Sequence, residues 1–168
     1  MEKQKFEELV KKIDEAKKSG KFDLSTDEDL SLAVMNLISL EEHFFFTGEK
    51  TGKSEYFNLL LEVREMRKEL LAKLAPDHEG ETWCVMKHLL AASMRLMEVG
   101  TKLQSDGKKE EAKNMFDRAY KIYSLFWGLR LNLVDLKNLK KDGLLSGEAE
   151  KARGVEDIVS KLVNCCDE

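Results

Sequence analysis

The sequence predicts an all-α fold, an antiparallel helical bundle of about six helices with a four-helix core. Three observations carry that expectation. Proline occurs once in 168 residues, at Pro76. The long segments are built from Leu, Glu, Lys, Ala and Met, which lose little side-chain freedom on entering a helix. No stretch alternates apolar and polar side chains as a half-buried strand does. With 42% hydrophobic residues the chain can fill a core, and 36% charged residues of both signs suit a solvated helical exterior. A single domain over 1–168 is expected, with terminal helices at 1–20 and 146–164 flanking a core of 25–142.

The first predicted helix, 2–18, carries Phe6, Leu9, Val10 and Ile13 on one face and stops at Gly20. The second, 25–46, opens with a capping box of Ser25 and Glu28. Its apolar face is read as Leu30, Ala33, Val34, Leu37, Ile38, Leu40, Phe44 and Phe45. A loop at 47–53 leads to a third helix, 54–75, which Pro76 ends. The fourth, 79–105, is turned by Asp106-Gly107, and the fifth, 108–141, has Gly128 where it is expected to bend. After Asp142-Gly143, Ser146 caps a last helix reaching residue 163. Short connections make consecutive helices antiparallel neighbours. Trp83, Met94, Phe116, Ile122 and Phe126 are the expected core anchors.

Charge and composition exclude several function classes. A net charge of −4 and a pI near 5.6 do not suit a dedicated nucleic-acid binder. No apolar stretch follows Met1-Glu2-Lys3-Gln4-Lys5, so no secretory leader is expected, and the longest apolar runs (30–40 and 89–94) are too short for a bilayer. Cys84, Cys165 and Cys166 form no disulfide framework and read as reduced thiols, which points to the cytoplasm. Cys165-Cys166-Asp167-Glu168 has the length of a prenylation box, but its last two residues are acidic.

Between residues 93 and 126 the spacing of small and apolar residues follows a two-helix pattern. Gly100 and Gly107 stand at a small-residue position and a turn, while Ala112, Phe116 and Ala119 stand at second-helix packing positions. Val99 and Leu103 fill first-helix apolar positions. This stretch resembles a single tetratricopeptide hairpin, a unit of 34 residues. Leu96 replaces that family's usual tryptophan and Ser124 its terminal proline, and the windows 59–92 and 127–160 do not repeat the pattern. The resemblance implies a close-packed helical pair and, since such units are interaction modules, a protein partner.

Helical-wheel geometry places several charges on apolar faces. Glu41 lies within the face of the second helix. Arg67 lies within that of the third, with Arg64 at its margin, and Arg130 lies within that of the fifth. An inward charge is costly unless paired, so each needs a partner. With a turn centred near residue 50, Glu41 falls level with Leu59, and Arg64 is its first candidate. Arg67 falls near His88 and Ala33, and Arg130 near Trp83. Two readings follow. Glu41, Arg64, Arg67 and Arg130 are structural ion pairs that fix register, or they line a pocket for an anionic ligand, with His88 and a wall from Trp83 or Trp127.

Glu81, Cys84 and His88 share one helical face at i, i+3 and i+7. A thiolate and an imidazole one turn apart suit zinc or another divalent metal, so these three are the candidate metal ligands. Di-iron bundle chemistry is excluded, because Glu41, Glu42, Glu62, Glu81 and Glu98 are followed three residues later by Phe44, Phe45, Glu65, Cys84 and Thr101, never by histidine. No phosphate-binding glycine loop or nucleophile elbow is present. Leu32, Met35 and Phe46 form an outer apolar stripe on the second helix, suited to a partner protein or a second copy as a homodimer. The sequence therefore points to an interaction or scaffold protein. The alternative is a bundle that binds a small ligand or metal, including the possibility of an enzyme, through its inward Glu, Arg and His side chains.

Overall fold

The computed structural model describes residues 24–76, 80–134 and 136. These form four helices: α1 (Ser25–Thr51), α2 (Glu55–Leu74), α3 (Gly80–Ser105) and α4 (Lys109–Arg130). No strand occurs among the described residues, and none of their helices is long and apolar enough to cross a membrane. The helices expected at 1–20 and 146–164 lie outside the described residues.

Helix boundaries follow local chemistry. Glu28 N–H donates to the Leu24 carbonyl at 2.8 Å, so α1 is entered one residue before a cap at Ser25 would place it. At its other end α1 continues through the expected loop to Thr51 instead of stopping at Phe46. Gly48 is helical here because it is a packing position. The Phe57 ring occupies the space a side chain would need, at 2.9 Å from a Cβ built there. The chain reverses at Gly52, whose φ of +66° is left-handed. Helix α2 ends at Leu74 because Ala75 precedes Pro76, which disfavours the α conformation, and Ala75 sits at φ −132° and ψ 61°. Between α3 and α4, Gly107 at φ +77° closes a Schellman turn: Lys108 N–H reaches the Leu103 carbonyl at 2.9 Å, and Gly107 N–H the Gln104 carbonyl at 3.1 Å.

Packing divides the chain into two compact units. The larger is Asp29–Tyr123. Within it α1 and α2 are antiparallel, since Gly48 meets Phe57 while Glu41 meets Arg64 and Arg67. Helices α3 and α4 are antiparallel too. Gly100 meets the Phe116 ring, and Ser93 Oγ donates to the Ala119 carbonyl at 3.1 Å. Buried Gly100, Ala112 and Ala119 let these two backbones approach closely. The largest fully buried side chains of this unit are Ser31, Val34, Met35, Leu71, Leu74, Met86 and Leu90.

The inward face of α1 is rotated from the one its apolar residues suggest. It runs through Ser31, Val34, Met35, Glu41 and Gly48, leaving Leu40 and Phe45 exposed. Met35 is only 2% exposed, so of the expected outer stripe only Leu32 and Phe46 reach solvent. A serine, a glutamate and a glycine on the seam carry no weight in an apolar pattern, yet each has its own packing reason. Ser31 Oγ and Tyr123 OH, for example, share a 2.7 Å hydrogen bond. Of the expected core anchors in this unit, Trp83, Met94 and Ile122 are half-buried, and Phe116 is 38% exposed because its ring caps Gly100 from the rim.

The second unit contains described residues 24–28, 124–134 and 136. Phe126, Trp127 and Leu129 are buried, and the first two rings meet edge to face at 5.4 Å. Helix α4 ends at Arg130 and does not continue to residue 141. Asn132 adopts φ +55°, with Leu133 N–H on the Gly128 carbonyl at 2.8 Å and Asn132 N–H on the Leu129 carbonyl at 3.0 Å. Asparagine is the residue after glycine that best tolerates this terminating position.

A Cβ at Gly100 would stand 2.5 Å from the Phe116 ring. Helix propensity alone favours alanine over glycine by roughly 1 kcal/mol, so the expected result is a coupling. Gly100→Ala should be better tolerated by about 0.5–3 kcal/mol once Phe116→Ala has removed the ring. Urea unfolding of the wild type, both single variants and the double variant measures it. Additivity within about 0.5 kcal/mol would show that the contact carries no energy.

Candidate functional site

The ion cluster of the Asp29–Tyr123 unit is set by the length of α1. Because α1 reaches Thr51 and α2 starts at Glu55, the turn is centred near Lys53. Glu65 then comes level with Glu41, which brings Arg64 and Arg67 within reach of one carboxylate. Arg64 Nε donates to Glu41 Oε2 at 2.9 Å. Arg67 donates from Nε to Oε1 at 2.7 Å and from Nη2 to Oε2 at 3.3 Å, a bidentate fork. The Arg67 side chain is 7% exposed and that of Arg64 46% exposed, so one arginine is interior and the other reaches solvent.

Burial by itself would raise the Glu41 carboxyl, but the hydrogen bonds and charges of Arg67 and Arg64 outweigh it and hold the group below its ordinary value of 4.5. The carboxylate is saturated by three donors and stays ionised at neutral pH. A carboxylate so held is a poor proton acceptor.

Above this cluster lies an open groove of about 710 Å³. Glu41, Arg64 and Arg67 of α1 and α2 line it together with Lys87 and His88 of α3, and Ile38, Leu60 and Ala91 contribute apolar lining. A second groove of about 540 Å³ is lined by His43, Lys50 and Arg95 among others. Glu42 and Phe46 line both grooves. Glu42 is ion-paired to Arg95. Phe46 is 57% exposed, and its ring meets that of Phe45 edge to face at 5.2 Å.

The structure thus brings together Glu41, Arg64, Arg67 and His88, but not Arg130. Arg130 belongs to the other unit, where Nη2 donates to Asp27 Oδ2 at 3.1 Å. Trp83 and Trp127 line neither groove. His88 lines the groove, whereas Cys84, one turn away, is an exposed free thiol. Among the described residues no three His, Cys, Asp or Glu side chains are placed to hold a metal ion, so Glu81, Cys84 and His88 are neighbours on a helix face without forming a chelating set. Sharing a face aligns Cα positions, but chelation needs side chains that converge on a point. The sequence does not single out Lys50, Lys87 and Arg95, and it reads Phe45 as a core residue. Their placement depends on the α1–α3 register, for which no local signal exists.

Compared with protein families, curated proteins and solved structures, the chain matches none.

Removing Glu41 strands a buried guanidinium, so Glu41→Ala is expected to cost about 3 kcal/mol, while Arg64→Ala, removing a half-exposed partner, costs about 1 kcal/mol or less. Equal costs would show that Arg67 finds another partner. Because the folded-state carboxyl is depressed, its contribution is complete above the ordinary value of 4.5 and is lost as pH falls through the lower folded value. Urea unfolding of wild type and Glu41→Gln across the acid range should therefore give a shallower acid loss in the variant.

Proposed function

We propose that this chain is a protein-interaction module whose Asp29–Tyr123 unit receives a polypeptide partner in the groove bordered by Phe45 and Phe46. The observation that carries this reading is a solvent-exposed pair of phenylalanines lining an open groove whose two carboxylates, Glu41 and Glu42, are already ion-paired. Large apolar side chains left in water beside a concavity are characteristic of contact surfaces. The saturation of Glu41 leaves that carboxylate without the basicity that catalysis would require. The tetratricopeptide-like spacing of 93–126 is consistent with the same role, and the partner on this reading is either another protein or a second copy of the chain.

The rival reading is an anionic small molecule held by Arg64, Lys87 and His88, because about 710 Å³ falls in the usual range of 300–1,000 Å³ for ligand pockets. Such pockets enclose most of their ligand, whereas this groove is open to solvent, which favours a polypeptide.

A photo-crosslinking phenylalanine analogue at position 46 discriminates the two, with the same analogue at exposed position 113 as control. Irradiation in cells should yield adducts of polypeptide mass at 46 and few at 113. Adducts of small-molecule mass at 46, or equal polypeptide capture at both sites, would overturn the proposal.

A further inference from the structure

We infer that the two grooves together seat an acidic, amphipathic segment of a partner protein. This inference rests on the interaction reading above and adds the chemistry of the partner. The two grooves share Glu42 and Phe46 and so form one bipartite surface on the Asp29–Tyr123 unit. Five cations line it (Lys50, Arg64, Arg67, Lys87 and Arg95) against two carboxylates, Glu41 and Glu42. That is a surplus of three positive charges in a chain whose net charge is −4. A local field opposite in sign to the whole molecule selects a partner of matching charge and steers its approach.

The way the carboxylates are used strengthens the bias. Glu41 is bonded to Arg64 and Arg67, and Glu42 to Arg95, so neither is free to attract a basic partner. Lys50 and Lys87, one in each groove, form no ion pair among the described residues. Phe46 lines both grooves, with Phe45 against it and Ile38, Leu60 and Ala91 lining the first. The surface therefore offers an apolar anchor flanked by uncommitted cations on both sides. Its complement is a bulky apolar side chain with carboxylates to either side, as on one face of an acidic amphipathic helix.

A nucleic acid or an anionic membrane would also meet cations. Both demand several unspent cations in an array, and here Arg67 is interior with its fork on Glu41 while Arg95 is held by Glu42. The apolar lining of Ile38, Leu60 and Ala91 has no counterpart in a phosphate backbone.

Selection of phage-displayed random peptides on the full chain tests the inference without knowledge of the natural partner, with affinities of the enriched peptides then measured by fluorescence anisotropy. Enriched peptides should be net negative and carry Phe, Trp or Leu. Phe46→Ala, which removes the anchor without adding charge, should weaken them by tenfold or more, a factor of ten being about 1.4 kcal/mol. The Lys50→Glu/Lys87→Glu variant should weaken them similarly and, used as bait, should select peptides that are no longer acidic. Urea unfolding confirms that both variants remain folded. Enriched peptides that are neutral or basic yet depend on Phe46 would overturn the acidic partner and leave the interaction module standing. Enrichment of no peptide that depends on Phe46 would overturn both. Displacement of the selected peptides by oligothymidylate, or by vesicles of equal phosphatidylcholine and phosphatidylserine, at lower concentration than unlabelled peptide would assign the surface to nucleic acid or membrane instead.

Discussion

A carboxylate withdrawn from water between two arginines holds the register of α1 against α2. Glu41 can occupy its buried position only while Arg67 offers its fork, and Arg67 can be buried only while Glu41 accepts it. A slip of one residue along either helix would turn one of the pair to a different angle and leave the other uncompensated. An apolar seam tolerates such slips at modest cost, because one leucine resembles the next. The ion pair does not, and its specificity sets which residues of α1 and α2 line the grooves above it.

The same pair divides the chemistry of the surface into a fixed and an available part. Arg67 is interior and spent, while Arg64 bonds the same carboxylate from the solvent side and keeps an exposed flank. Glu42 and Arg95 form a separate, solvent-exposed ion pair beside it. What remains for an external partner is therefore cationic and aromatic, although the chain as a whole is acidic. Net charge describes the average of the surface; the field at a groove depends on which charges are already neutralised within it.

Much of this was legible in the sequence, and the omissions have identifiable causes. The helical class followed from composition, and Pro76 and Gly107 act where local stereochemistry demands them. Glu41 was recognisable as an inward charge with Arg64 as partner, because a misplaced carboxylate on an apolar face is a local signal. Arg67 was assigned to other partners because Gly48 was read as a loop residue. Gly48 is in fact a contact residue under Phe57, and the turn moved accordingly. The same ambiguity of small residues misdirected the face of α1, whose seam uses Ser31 and Gly48 and buries Met35. The end of α4 was missed for a related reason: Asn132 adopts a conformation that its identity permits but does not require. The groove residues contributed by α3 depend on a third helix finding its level, which no short-range pattern encodes.

The contacts also imply an order of assembly. Glu41 is separated from its arginines by 23 and 26 residues, and Ser93 from Ala119 by 26, so each helical hairpin closes over a short loop. Ser31 and Tyr123 are 92 residues apart, and their hydrogen bond requires both hairpins to be in place. Loop closure of the hairpins costs little entropy and proceeds quickly, whereas the long closure gathers its enthalpy only at the end. On this topology the two hairpins of the Asp29–Tyr123 unit are expected to close first and the α1–α4 contact to form last.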